Sequence, residues 1–581
     1  MKRVAILVLL ALTPALWAQK VEVREETLSN GMRLLIVERH DSPTIACGWV
    51  ARVGSVNEHP GITGISHLFE HMMFKGTKTI GTTDFAKGQE IRDQQDAVFA
   101  QMREEYSKLR QQLLRGEISG SIYDPENQTP RLKELRAQLE KLFAEEKKYI
   151  VKDELDRIYT SEGGAGLNAF TTEDQTGYFI TVPSNKLELW FWLESDRLLN
   201  PVFREFYSER DVVREERRMR VESTPTGRLD ELFNAMFWES APYSWPVIGW
   251  ASDVEAITRE QAENYFSIYY APNNITAILV GDVNPDQAVQ LAEQYFGRIP
   301  RGKVPPPEMI TFEVNQTAEK RTVGEADTNP TVTIRYHTPP FDHKDTFPLE
   351  ILAQALNGRT GRLYKSLVEE KQLAVGQPRA QLGTNKYAGY LELSAEVKDG
   401  RTHQEVEDAL LAELERLRTE PVQDHELQKL KNNELADSFR RLQSNFYLLI
   451  QLVFYDSDGD WHYINDSSPK LLAVTAADIQ RVADQYLTTE NRSVAWYERK
   501  KGTQSDEDPE LAALPAQMKP MIKQQVAAIQ KETDRAKLEQ ALARTQQMAD
   551  QVPPQAKPAV QYIIKKIQER IDQLSASEGG N

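Results

Sequence analysis

ITREQAENYFSIYYAPNNITAILVGD, residues 257–282, and VTAADIQRVADQYLTTENRSVAWY, residues 474–497, are two copies of one unit. Each opens on a β-branched residue followed by a threonine able to accept a free amide at a helix start. Each then carries one amphipathic helix ending near a tyrosine, a short turn containing asparagine, and a β-rich strand. A closing unit of helix then strand that occurs twice predicts an α/β (α+β) chain built from two homologous domains. GRIPRGKVPPPEM (297–309) separates the copies, and its proline and glycine content reads as a linker. The expected division is a first domain over 21–300, a linker over 301–312 and a second domain over 313–500.

Two segments fall outside the repeat. Within 91–158, Ile91, Val98, Met102, Tyr106, Leu109 and Leu113 recur at helical spacing, as do Leu132, Leu135, Leu139 and Leu142 after the turn GEISGSIYDPENQTP. That pattern is the seam of an antiparallel helical hairpin inserted into the first domain. From Lys501 to the end, Gln-, Lys- and Glu-rich helix formers are broken by Pro520, Pro553, Pro554 and Pro558. They read as a helical tail over 501–581, either a partner-binding appendage or a solvated extension.

At 581 residues the chain is too long for one core. A net charge of −17 argues against nucleic acid as a partner, because the phosphate backbone would repel it. Lys2 and Arg3, the apolar run Val4 to Leu12 and the small residues ending at Ala18 form a secretory signal peptide over 1–18. The alternative, a membrane anchor, is disfavoured because the run is short of the ~20 apolar residues a span needs. The mature chain is then expected to be exported to the periplasm, cleaved near Ala18, with no transmembrane span. Cys47 is the single cysteine, so no intrachain disulfide can form, and its apolar surroundings read as those of a plain buried thiol.

The chemistry is concentrated in HLFEH, residues 67–71, set within GSVNEHPGITGISHLFEHMMFKGT. Helix positions i and i+4 lie one above the other, so His67 and His71 can aim ring nitrogens at one Zn²⁺ at about 2.0–2.1 Å. Glu70 borders the same face without being forced onto the metal. A carboxylate there is placed to act as general base, since zinc lowers the pKa of the water it binds to about 7. Thr63 is the expected N-cap of this helix, and Leu68, Met72 and Met73 are expected to pack its other side.

The order H-x-x-E-H resembles the pitrilysin/insulinase family of zinc peptidases, the inverzincins, and the likeness continues downstream. GGAGLNAFTTEDQTGYFITVP (163–183) is similar to the family's substrate-binding edge strand. LESDRLLNPVF (193–203) and FYSERDVVREE (206–216) resemble the segment carrying its third ligand, and YSWPVIGWASDVEAIT (243–258) resembles the stretch that follows. The resemblance implies two repeated α/β domains per chain, two such units facing each other as a clamshell, and one Zn²⁺ held by His67, His71 and Glu216. Glu215 is the alternative third ligand, although on a helix it points about 100° away. Glu209, two turns before Glu216, matches a family glutamate that supports catalysis by orienting a ligand; otherwise it is a surface glutamate in a charged helix. Asn168 and Ala169 match residues that bind the substrate main chain, the alternative for Asn168 being a buried polar group closing a turn.

The chain departs from the family in two places. The gap from His71 to Glu216 is lengthened by the hairpin. In the second half, the stretch where active single-chain members carry an Arg and a Tyr reads LVEEKQLAV (367–375), placing Val368 and Val375 at those positions. Neither valine can donate a hydrogen bond. The resemblance therefore implies the metal-bearing, catalytic subunit of a heterodimer: an exported zinc metalloendopeptidase acting on peptides or unfolded segments, with a homologous partner chain supplying the missing pair. The competing expectation is a non-enzymatic peptide-binding or assembly subunit of the same fold.

Overall fold

A computed structural model of the chain describes residues 20–500, 519–532, 534–549 and 557–578. The signal-peptide segment 1–18 and the start of the tail at Lys501 lie outside the described residues. The first half supplies strands β1 (Arg24–Thr27), β2 (Arg33–Glu38), β3 (Thr44–Ala51), β4 (Ala165–Thr171), β5 (Thr176–Pro183) and β6 (Ile275–Gly281). The second supplies β7 (Lys320–Ala326), β8 (Thr331–Thr338), β9 (Ala374–Thr384), β10 (Gly389–Val397) and β11 (Arg492–Arg499). The sheets run β1-β2-β6-β3-β5-β4 and β7-β11-β8-β10-β9. Apart from the extra edge strand β1, the two orders are the same, with the closing strand of each half placed between its first two.

The helices of the first half are α1 (Ile65–Met72), α2 (Phe85–Leu114), α3 (Pro130–Glu146), α4 (Glu154–Ser161), α5 (Leu187–Leu199), α6 (Phe206–Arg217), α7 (Gly227–Phe237), α8 (Ala251–Val254), α9 (Arg259–Tyr269) and α10 (Pro285–Tyr295). Those of the second are α11 (Thr346–Leu356), α12 (His403–Thr419), α13 (Asp424–Leu442), α14 (Asn445–Asp458), α15 (Tyr463–Ala473) and α16 (Ala476–Tyr486). The repeated unit forms α9 with β6 and α16 with β11. Thr258 and Thr475 cap their helices in reciprocal boxes with Gln261 and Asp478. The repeated asparagines do one job. Asn274 Nδ2 donates to the Tyr269 carbonyl and, across the sheet, to that of Arg52; Asn491 Nδ2 donates to the Tyr486 and His337 carbonyls.

β3 and β6 are buried along almost their whole length, because the first sheet is covered on both faces. One face holds Ile45, Cys47, Trp49, Ala277 and Leu279 against the helices of its own half. The other face, with Ala46, Val50, Ile278 and Val280, packs on Leu448, Leu449, Leu452 and Val453 of α14, a helix of the second half. The exchange is mutual. Phe233 of α7 packs on Ala495 and Tyr497 of β11, and Phe237 stacks on His337 of β8. The Tyr497 hydroxyl donates to Asp230 at 2.7 Å. Each half thus lends a helix to the other's sheet, so the described residues up to Glu498 form one compact unit.

α2 and α3 are antiparallel partners whose seam buries Val98, Met102, Tyr106, Leu109, Leu132, Leu135 and Leu139. α2 begins at Phe85, capped by Asp84, and at 30 residues spans about 45 Å. Its first turns carry Gly88 and few apolar residues, so periodicity alone locates the start too late. Buried polar contacts root the hairpin: Arg259 donates to Asp96 and Gln95, the Tyr207 hydroxyl donates to Asp96, and Arg92 and Gln95 both meet Glu146. Beyond Glu498, helices Lys519–Lys531, Arg535–Ala549 and Lys557–Glu578 build a small core of their own around Ile522, Tyr562, Leu538, Ile567 and Ile571. Among the described residues no helix is long and apolar enough to cross a membrane.

Candidate metal centre

The start of α1 differs from the sequence expectation. Its N-cap position is Gly64, at φ +89°, and Thr63 does not cap it. The Thr63 hydroxyl instead donates to Asp253 at 2.8 Å and accepts the Trp250 amide at 2.9 Å. The free amides of Gly64 and Ser66 are taken by the buried carboxylate of Glu58, at 2.7 and 2.8 Å. Burial pushes this carboxyl up to about 8, against the pull of those two amides. Gly64 and Gly249 meet back to back: a Cβ on Gly249 would lie 2.3 Å from the Thr63 carbonyl oxygen. Val247 and Ile248, just before Gly249, line the cavity that also holds His67 and His71. Glu58→Ala is expected to destabilise the protein by about 1–3 kcal/mol for each amide left unpaired. An unchanged thermal midpoint would show that water replaces the carboxylate without cost.

One turn apart on α1, the His67 and His71 rings lie 4.9 Å between centroids. Glu216, near the end of α6, points its carboxylate at both. Its Oε2 is 3.4 Å from His71 Nε2 and 3.8 Å from His67 Nε2. Two ligands sharing a tetrahedral ion at about 2.0–2.1 Å stand ~3.4 Å apart, so this donor set of two imidazoles and a carboxylate fits zinc. No other group of three such side chains comes together among the described residues. Burial, then His71 and Arg220, push the His67 imidazole down to about 3 and keep it neutral, as a ligand nitrogen must be. Glu215 is exposed and pairs with Arg218, facing away from the histidines. Just past Glu216 the helix widens into a π-turn, Arg218–Glu222, whose Arg220 reaches back to Glu216 Oε1 at 2.7 Å.

Glu209 sits against His71 Nδ1 at 2.9 Å and against Lys75 Nζ at 2.6 Å. Burial opposes its ionisation, but the bonds from His71 and Lys75 outweigh burial and hold the carboxyl down at about 2. Glu70 lies half-buried beside the pair and accepts the Thr171 hydroxyl at 2.6 Å. Burial raises its carboxyl above the ordinary range, partly offset by Thr171 and His71. β4, which carries Asn168 and Ala169, is the outer strand of its sheet. Asn168 is exposed, and its Oδ1 accepts the Ala169 amide at 2.9 Å. A cavity of about 740 Å³ gathers His67, Glu70, His71, Glu209, Glu216, Asn168 and Ala169 on one wall system, with Thr171, Lys75 and Arg220. Val368, in the turn Tyr364–Glu370, and Val375, at the start of β9, do not line it.

Thr171, Lys75, Arg220 and Glu58 were not read from the sequence. Thr171 had a signal, since it lies two residues beyond Ala169 on the same face of a strand. So did Lys75, four residues after His71. Glu58 had none, because its partners are backbone amides presented only by the folded turn.

The first half of the chain matches the family model for insulinase, peptidase family M16, over residues 33–93 and 119–249. The break falls inside the hairpin. The model for the peptidase M16 inactive domain matches residues 256–434. Zinc protease PqqE of Helicobacter pylori is 26% identical over 469 residues, covering 79% of this chain and 89% of that protein. The crystal structure of a protease from H. pylori superposes with a TM-score of 0.67 at 24% identity, covering 82% of this chain and 100% of that one. The periplasmic protease PqqL from Escherichia coli superposes with a TM-score of 0.61 at 16% identity over 83% of this chain and 48% of that one. These two structures share the fold. With both halves matched by models of one family, and relatives that are zinc proteases, the chain belongs to the pitrilysin/insulinase family of peptidases, M16.

Proposed function

We propose that this chain is an exported zinc endopeptidase, the metal-bearing subunit of a two-chain enzyme, acting on peptides or unfolded segments. His67, His71 and Glu216 hold one zinc ion, which supplies Lewis acidity by polarising a carbonyl and lowering the pKa of water. Glu70 takes the proton from the attacking water and passes it to the leaving amine. Burial supports this role by placing its carboxyl nearer to working pH. Glu209 fixes the His71 ring through Nδ1. Asn168 and Ala169 present the edge of β4 to an extended substrate, which adds as a strand and is held by its main chain.

The observation that carries the reading is the meeting of the two histidines and Glu216 in one cavity with Glu70 and an unpaired strand edge. The two sheet edges also differ. β4, AGLNAFT, has no charge and no proline, a pairing hazard unless the edge is used. β9 is guarded by Gly376 at φ +67°, Pro378, Arg379 and an irregularity opposite Ser394 and Glu396. The signal-peptide pattern ending at Ala18 supports export.

Metal analysis with a peptidase assay, with and without chelator, tests the proposal. The mature protein should bind about one zinc per chain and lose hydrolysis on chelation. His67→Ala or His71→Ala should abolish binding, and full occupancy in either variant would remove the ligand assignment. Glu216→Ala should weaken zinc strongly and Glu215→Ala hardly at all. The reverse ranking would place the third ligand one residue earlier.

A further inference from the structure

We infer that Lys75 is a positioning residue for the metal site, holding Glu209 against His71 and fixing the spacing of the two helices that carry the ligands. The inference rests on His67, His71 and Glu216 being the zinc ligands. Lys75 lies just beyond the end of α1, where a cation suits the negative end of the helix. Its ammonium reaches across to the start of α6. There it meets Glu209 at 2.6 Å and Glu205 at 3.5 Å. Glu205 is held at φ +56°, a conformation that costs a non-glycine residue energy, and it is the last residue before α6. The adjoining Arg204 is buried and donates to the carbonyls of Lys75, Thr77 and Ile80. The segment after α1 is thus gripped twice by the start of α6, by backbone through Arg204 and by side chain through Lys75.

The division of Glu209 between two partners gives Lys75 its role. Oε2 is taken by the ammonium, which leaves Oε1 to accept from His71 Nδ1. An imidazole donating from Nδ1 carries its lone pair on Nε2, the atom that faces Glu216. Without the ammonium the carboxylate is free to turn, and both the ring orientation and the tautomer are less tightly held. Lys75 is about one-fifth exposed and Glu209 less, so the contact is partly shielded from water and salt.

The test is zinc affinity of the whole mature chain, measured at fixed pH by competition with a chromophoric chelator. Lys75→Met should weaken zinc by about 10–100-fold, the range for losing a group that orients a ligand. Lys75→Arg should recover most of the loss. In a Glu209→Gln background Lys75→Met should add little further loss, because its effect passes through Glu209; a general packing defect would add in full. Wild-type affinity in Lys75→Met, no recovery with Arg, or full additivity would each overturn the inference. Failure of the ligand reading would look different, since His71→Ala would then bind zinc as wild type does. If Lys75→Met melts below the assay temperature, Lys75→Gln, which keeps a donor without the charge, is measured in its place against the same outcomes.

Discussion

Glu70→Gln should keep its zinc and lose about 10²–10⁴-fold in kcat/KM, the contribution of a well-placed general base. The substitution preserves side-chain volume and an oxygen able to accept the Thr171 hydroxyl, so the cavity wall should stand. What it removes is the basic oxygen. Glu70 is one residue from His71 but is not among the three side chains that converge, so metal content should be unchanged. The measurement is zinc content and peptide hydrolysis on one preparation. Full activity in the variant would move the base elsewhere, and loss of zinc would make Glu70 a ligand.

The second large effect is expected from a partner chain. This chain alone should hydrolyse unstructured peptides poorly, and a homologous chain carrying the Arg and Tyr should raise the rate. The motive is Val368 and Val375, apolar where a donor to the developing oxyanion is expected, and both away from the cavity that holds His67. Losing one such donor costs on the order of 10²–10³ in rate, and zinc offsets part of that. The assay compares the lone chain with the chain co-expressed with its homologue. Equal rates would defeat the expectation. A homodimer would defeat it only if fully active, since two copies still lack the pair.

The repeat at 257–282 and 474–497 made the two-domain plan legible because local chemistry writes it: a threonine cap, a 3.6-residue period, an asparagine turn and a β-branched strand. β3 was legible in the same way, as an unbroken apolar run in a sheet covered on both faces. The exchange of α7 and α14 was not. Residues 445–458, NFYLLIQLVFYDSD, are apolar around much of the helix, which says that the segment is buried but not against which sheet. The linker marks where one domain gives way to the next, but not that Leu449 and Phe237 pack each half on the other's sheet, across sequence separations that no local pattern records.

At the site, the pairing of His67 with His71 was legible in HLFEH, because i and i+4 lie one above the other on one helix face. Resemblance added Glu216, Glu209 and the edge strand, but spacing could not choose between Glu216 and Glu215. The packing of α6 against α1 separates the two, turning the Glu216 carboxylate toward the histidines and leaving that of Glu215 in solvent with Arg218. It also replaced the expected Thr63 cap with Glu58 and brought in Lys75 and Thr171. These contacts join residues far apart in the chain or side chain to backbone, and their energies depend on distance and burial that exist only after folding.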